Sequence, residues 1–389
     1  MLANLSNVLV VFVLARSLSS SDYGSYTQLM AIFLFVSITG TALTVSIVRS
    51  VRFGGVGSIE SWRQGFLESL RFSLLVGLSL SVGLAYLLSY ELPGLALLPT
   101  ALVLLGGLMW LYLCAVRGFL QAERDYQTLA NSFLLESGLR VVLVLGSARV
   151  GLVLVSTSYV VMALMLSLHA TRKSWGIIAI SRLRDPMRIW RSSLPTIVCY
   201  LSFITLMYLD IVIVGHRLAG ERGSYGAISQ MSKFIVYGAF ALASLVVAEV
   251  ERPAAKTPRW RNMSVAVAGL YLTMVGTVLV AVKCSGNHLI SISFGASYAS
   301  CSGALVPLSV GMSALGATIL IANRSLGLGY SWPVSVVAVG AASAGLYVWS
   351  NSRSVEAIAQ ADMWAQLGLM CVVCVLSTAI SYRGAGGRL

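Results

Sequence analysis

The sequence predicts an all-α fold, a polytopic membrane bundle of about twelve transmembrane helices in two six-helix halves related by a parallel repeat. Three observations predict it. Hydrophobic residues make up 57% of the 389-residue chain and charged residues 11%, with a mean hydropathy of +0.85, whereas soluble domains carry about 25% charged residues. Apolar stretches long enough to cross a bilayer as helices, about 20 residues each, recur between short polar breaks. A Gly-Ser-Tyr at a polar bend, residues 24–26, returns at 223–225, about half a chain later.

The first stretch, 2–15, stops at Arg16 and is too short to span at full thickness. It reads as a partial helix or the end of a longer one. A cleaved signal peptide fits less well, because no basic segment precedes it and a second span follows at once. Stretches at 26–48, 70–90, 93–116, 129–147 and 150–170 complete a first half. A polar segment at 171–193 carries Arg172, Lys173, Arg182, Arg184, Arg188, Arg191 and the breaker Pro186. It links the first half to stretches at 194–215, 224–248, 263–282, 302–322, 326–349 and 363–381. The expected domains are therefore 1–170, a basic cytoplasmic linker at 171–193, and 194–389. An even number of spans per half sends both halves into the membrane in the same direction. Transporters with internal repeats place substrate between the halves and expose it alternately to each side. The outer connections are expected to be short, the longest near 283–301 and 350–362, which disfavours an enzyme with a large extracytoplasmic domain.

A formal net charge of +13 suggests nucleic acid in a soluble protein, but here the distribution of the cations decides its meaning. With the N-terminus placed inside, nineteen of the 27 Lys and Arg fall in cytoplasmic segments, Arg49 and Arg117 among them, and six in outer ones. The positive-inside rule then puts both termini in the cytoplasm, with anionic lipid headgroups as secondary partners and no nucleic acid. All six cysteines lie within or beside apolar helices. The Cys371-x-x-Cys374 pair, without further ligands or polar surroundings, reads as two small buried residues on one helix face.

Catalytic and metal motifs are missing: the three histidines have no metal-ligand spacing, and there is no P-loop, so neither enzyme chemistry nor a cofactor is expected. What remains are ionisable residues inside the predicted spans, which are expensive in hydrocarbon and mark cavities or pathways. Glu136 and Arg140, four apart, suit a pair on one helix face, either self-neutralising or part of a cavity. Lys233 lies mid-helix with no acidic partner on its own helix, and Gln230, Lys233 and Tyr237 form one stripe. That stripe is expected to face water or a ligand, since snorkelling is hard from mid-helix. Asp210 takes a proton or cation, or pairs with a basic group across the bundle.

Four stretches in order resemble a known family. "LARSLSSSDYGSYTQLMAIFLFVSITGTALTVSIVRS" is similar to its first bend and second helix, ending at Arg49, and "RGFLQAERDYQTLANSFLLESGLRVVL" to its short loop and fifth helix. "LDIVIVGHRLAGERGSYGAISQMSKFI" carries Asp210, Gly215, Gly223 and Tyr225, and "LISISFGASYASCSGALVPL" carries Gly295 and Tyr298. The family is the polysaccharide flippases of the multidrug/oligosaccharidyl-lipid/polysaccharide exporter superfamily. The resemblance implies movement of an undecaprenyl-diphosphate-linked oligosaccharide across the bacterial cytoplasmic membrane for cell-surface polysaccharide synthesis, alongside a glycan polymerase and other envelope-assembly proteins. Such a headgroup cannot cross hydrocarbon unaided. Arg49, Arg140 and Lys233, with Gln230 and Tyr237, are the expected cargo residues, since cations suit a diphosphate; Asp210 and Glu136 are expected in coupling or gating. The rivals are a cation-coupled multidrug exporter of the same superfamily, a peptidoglycan-precursor flippase, and a membrane glycan polymerase or ligase.

Overall fold

A computed structural model describes residues 2–53, 77–92, 94–174, 187–250, 258–327 and 330–386. Regular structure among them is entirely helical, in twelve α-helices: α1 Leu2–Ser17, α2 Ser20–Phe53, α3 77–91, α4 Leu97–Glu123, α5 Tyr126–Ser147, α6 Leu152–Ser174, α7 Met187–Arg217, α8 Arg222–Val250, α9 Pro258–Ser293, α10 Leu305–Gly327, α11 Trp332–Ser350 and α12 Val355–Gly386. Short 3₁₀ segments at Ala219–Glu221 and Ala296–Ala304 join α7 to α8 and α9 to α10. Among the described residues nine helical segments are long and apolar enough to cross a membrane. The chain is a multi-pass membrane protein. Helix α1 has 16 residues, which at about 1.5 Å each falls short of the roughly 30 Å hydrocarbon layer, as its length in sequence suggests.

The chain divides into two compact units, Met1–Leu201 and Ser202–Leu389, with the division inside α7. The expected linker lies partly outside the described residues, since α6 runs to Ser174 and α7 begins at Met187. Each unit has the same internal order of packing. In the first, α2 packs on α4 and α4 on α6; in the second, α8 packs on α10 and α10 on α12, six helices later.

The repeated bend explains itself residue by residue. Ser19 caps α2, its hydroxyl donating to Asp22 Oδ2 at 2.7 Å while its oxygen accepts from the Asp22 N–H at 3.1 Å. Just beyond it, Ser25 donates to the Gly94 carbonyl at 3.0 Å, fixing α2 to the turn that precedes α4. Its counterpart Ser224 accepts from Ser300 at 3.0 Å, fixing α8 to the turn that precedes α10. Gly295, at φ 118°, opens that turn in a backbone conformation that L side chains avoid.

Two expectations about connections are corrected. Residues 283–301 are not an outer loop: α9 continues to Ser293 past a kink at Ser285, and 3₁₀ helix follows. Residues 350–362 are also mostly helical, because Ser354 caps α12 by accepting the Ala357 N–H at 3.2 Å. Nor are Cys371 and Cys374 a buried pair: on α12 Cys371 is exposed and Cys374 half-exposed. Their surroundings are apolar side chains turned outward, such as Val372 and Val375, the surface a bilayer covers.

Candidate functional site: two buried charge clusters

Helix α5 is apolar outside and polar inside. Its exposed residues include Phe133, Leu134, Leu135 and Val142, whereas its buried stripe reads Thr128, Ser132, Glu136, Arg140, Val144 and Ser147. Steps of four along a helix of 3.6 residues per turn keep this stripe on one face. The helix starts cleanly because Arg124, at φ 63°, turns the chain out of α4 and Asp125 then accepts the Thr128 N–H at 3.1 Å.

Against the stripe α4 sets Arg117, 5% exposed. Its Nη1 donates to Glu136 Oε2 at 2.9 Å, its Nε to the Ser132 hydroxyl at 2.9 Å, and its Nη2 to the Ser132 carbonyl at 3.1 Å. Arg140 Nη2 donates to the other Glu136 oxygen at 2.5 Å. One carboxylate therefore holds two guanidinium groups, leaving one surplus positive charge in a buried place. Aromatic rings wall the cluster. The Trp110 ring lies 5.6 Å from the Arg117 guanidinium carbon and 5.9 Å from that of Arg140, and the Phe133 ring 4.1 Å from Arg117. Phe33 packs edge-on against Trp110 and contacts Tyr159, whose hydroxyl is 3.0 Å from that of Tyr26. Arg140 Nε is buried and makes no hydrogen bond.

The second unit has a cluster of opposite balance. Lys233 on α8 is 0% exposed, its Nζ 3.7 Å from Asp210 Oδ1 on α7 and 4.0 Å from the centre of the Tyr208 ring. Asp210 Oδ2 accepts from Tyr225 at 2.9 Å and Ser229 at 2.7 Å. Asp362 on α12, 4% exposed, lies within electrostatic reach of both Asp210 and Lys233. Here one ammonium has two carboxyl groups in reach, and only that of Asp210 is close, at 3.7 Å. Among the described residues no group of three or more His, Cys, Asp or Glu is placed to hold a metal ion.

The predicted residues thus fall into separate places. Glu136 and Arg140 do pair, but Arg117, buried within α4, joins them. Lys233 is fully buried, beside Asp210 and the Tyr208 ring. A neighbouring helix supplies the carboxylate that its own lacks, Asp210 on α7, with Oδ1 3.7 Å from the ammonium. Gln230 is buried on the same helix, and the Tyr237 and Tyr208 hydroxyls lie 2.5 Å apart. Arg49 lies on α2, and its side chain is outside the described residues. Sequence reasoning missed Arg117, Ser132, Asp362 and Gln366. Spacing held a clue to Ser132, four residues before Glu136, and to Asp362 and Gln366, four apart on α12, but none to Arg117.

No family profile and no curated protein sequence matches this chain. Solved structures do. An inward-facing multidrug resistance MATE family transporter of the MOP superfamily superposes over 100% of this chain and 96% of its own, with TM-score 0.81 and 13% identity. The lipid II flippase MurJ, inward closed, covers 97% and 86%, with TM-score 0.74 and 12% identity. A MOP superfamily transporter from Pyrococcus furiosus, described by the reverse polarity of its binding pocket and a different function suggested by it, covers 97% and 91%, with TM-score 0.65 and 16% identity. At such identities the likeness concerns architecture, and on that ground the chain has the fold of the MOP superfamily transporters, an all-helical bundle of two repeated halves.

Proposed function

We propose that this protein flips a diphosphate-linked lipid oligosaccharide across a bacterial cytoplasmic membrane by alternating access, for cell-surface polysaccharide assembly. The observation that carries the reading is the Arg117–Glu136–Arg140 cluster, in which two guanidinium groups share one carboxylate and Arg140 Nε is unbonded. A surplus guanidinium in a site 5% exposed is costly by itself, and a phosphate oxygen is the partner its planar donors fit. Trp110, half-buried beside both guanidinium groups, adds an aromatic ring on which a sugar can stack. That a lipid II flippase shares the fold supports a lipid-linked cargo. Cargo contacts belong to Arg117 and Arg140, while Lys233 pairs with Asp210, which serves coupling.

A second reading, a multidrug exporter, draws on the surplus negative charge around Lys233, which suits cationic cargo. Binding separates the two. The full chain in lipid nanodiscs is titrated with a polyprenyl-diphosphate oligosaccharide, with the same glycan on an uncharged polyprenyl linker, and with a cationic dye. The diphosphate compound is expected to raise the melting temperature and the others not. Arg140→Gln and Arg117→Gln should each weaken its binding roughly ten- to hundredfold, the worth of one charge-assisted contact of about 1.5–3 kcal/mol. Equal binding of the uncharged glycan, or preferential binding of the dye, rejects the reading.

A further inference from the structure

The second unit carries a groove between α11 and α12, of about 650 Å³. Small residues make room for it: Gly340, Ser343 and Ala344 from α11, Ala365 and Gly368 from α12. At its floor the helices meet closely, since a Cβ on Gly340 would lie 2.6 Å from Leu369 Cδ1. Its wall stands open at Gly368, where an added Cβ would meet no atom within 4 Å. Few groups in it can bond water. The Ser343 hydroxyl is spent on its own helix, donating to the Val339 carbonyl at 2.9 Å. In a membrane such a groove is filled by hydrocarbon, because water there has almost nothing to bond.

Its length suits a chain from one leaflet. Between Ser335 and Tyr347 the groove follows α11 for about 18 Å at 1.5 Å per residue, just over half of the roughly 30 Å hydrocarbon layer. At one end stands Tyr347, an exposed ring with a polar tip, of the kind that sits at a membrane interface. Beyond Tyr347, α11 ends at Ser350 and the turn 351–354 leads straight into α12, so the two walls are joined past that end. Arg353 lies in this turn, exposed and in no ion pair among the described residues. The carboxylate nearest in sequence, Glu356, is turned to the 3₁₀ segment before α10, with Oε1 3.7 Å from where a Cβ on Gly303 would be. Arg217, a second cation near the end of α11, is on the wrong side. It lies over the Trp349 ring at 4.3 Å, and Trp349, two residues after Tyr347, projects about 200° round the helix from it. That side of α11 meets α7, where a Cβ on Gly345 would lie 2.9 Å from Leu209.

We infer that this groove is a binding site for one anionic glycerophospholipid of the surrounding bilayer, with an acyl chain between α11 and α12 and the phosphate beside Arg353. Two features make it selective where the rest of the apolar surface is not. The groove holds the chain between two helix walls, with the exposed Trp364 ring against it, so binding covers apolar area on both partners. The guanidinium gives the phosphate a charge-assisted partner at the level of the headgroups. Tyr347, between chain and phosphate, offers its hydroxyl to the ester region. The lipid fills a gap in the packing of α11 against α12, and does so whatever the cargo is.

Native mass spectrometry tests this on the full chain, released from nanodiscs that hold equal amounts of phosphatidylglycerol and phosphatidylcholine with the same acyl chains. Wild-type protein should keep one lipid, phosphatidylglycerol in preference to phosphatidylcholine. Arg353→Gln should lower that preference about fivefold, the worth of one cation at a membrane surface, whereas Arg217→Gln should leave it unchanged. Gly368→Leu, which fills the groove from its open wall, should abolish retention of either lipid. A bound lipid that persists in Gly368→Leu, or a preference that survives Arg353→Gln or is lost in Arg217→Gln, overturns the inference. So does displacement of phosphatidylglycerol by an equal amount of a polyprenyl phosphate, which would make the groove a site for a polyprenyl chain. Should Gly368→Leu fail to fold, the wild type alone decides. Phosphatidylglycerol with a photoreactive diazirine on its acyl chain should label residues 335–347 and 364–372, and unmodified phosphatidylglycerol should suppress that labelling. Labelling that it does not suppress, or that phosphatidylcholine suppresses equally well, refutes the site.

Discussion

Glu136 holds two guanidinium groups in one unit, and Lys233 is the ammonium beside Asp210 in the other. Removing either strands buried charge where water cannot screen it, so Glu136→Gln and Lys233→Gln should each cost about 3–5 kcal/mol. Thermal unfolding in detergent checks this. Lys233→Gln should melt early and accumulate poorly, and adding Asp210→Asn should recover part of the loss, with a coupling of about 0.5–3 kcal/mol. Wild-type melting of Lys233→Gln would mean the ammonium is not a counter-ion. How legible these clusters are follows from the distance between partners. Glu136 and Arg140 share a helix face four residues apart, so the sequence shows them as a pair. Arg117 lies 19 residues from Glu136 on another helix, and near a helix end it counts as a cytoplasmic flank. Asp362 falls one residue before the apolar run that marks α12, so hydropathy alone assigns it to a loop.

At the scale of elements, the helices are legible because a bilayer demands long apolar runs. Their ends are not, because caps decide them. Ser354 starts α12 at Val355, eight residues before the run at 363, and α9 passes through its polar stretch around Lys283 to Ser293. Contacts between helices are hidden for another reason. Where α2 meets α4, a Cβ on Gly40 would lie 2.9 Å from the Cys114 Cβ, and one on Gly118 3.2 Å from the Thr44 Cα. Without a hydrophobic force between helices in lipid, such close approach is what holds them together. The Thr44 hydroxyl adds a hydrogen bond to the Cys114 carbonyl at 2.6 Å. Gly40→Leu should therefore force α2 from α4 and destabilise by about 1–3 kcal/mol, read as a lower melting temperature. An unchanged value would show that the contact tolerates volume.

For the whole molecule, the class and the two halves follow from hydropathy and from one repeated bend, and the packing order within each unit repeats as that bend suggests. The chemistry does not repeat. The first unit buries two guanidinium groups around one carboxylate, the second one ammonium beside two carboxyl groups, and no sequence period announces either. In the function proposed above, the anionic cargo is held by the first cluster. Flipping in proteoliposomes tests its central element, the recognition of diphosphate by the arginines. The measurement is the fraction of a fluorescent polyprenyl-diphosphate oligosaccharide, placed in one leaflet, that becomes open to a membrane-impermeant quencher at the other. Wild-type protein should equilibrate the diphosphate lipid but not the same glycan on an uncharged linker, and Arg140→Gln should slow the movement about ten- to hundredfold. Equal movement of both glycolipids, or undiminished flipping by Arg140→Gln at normal abundance, would contradict it.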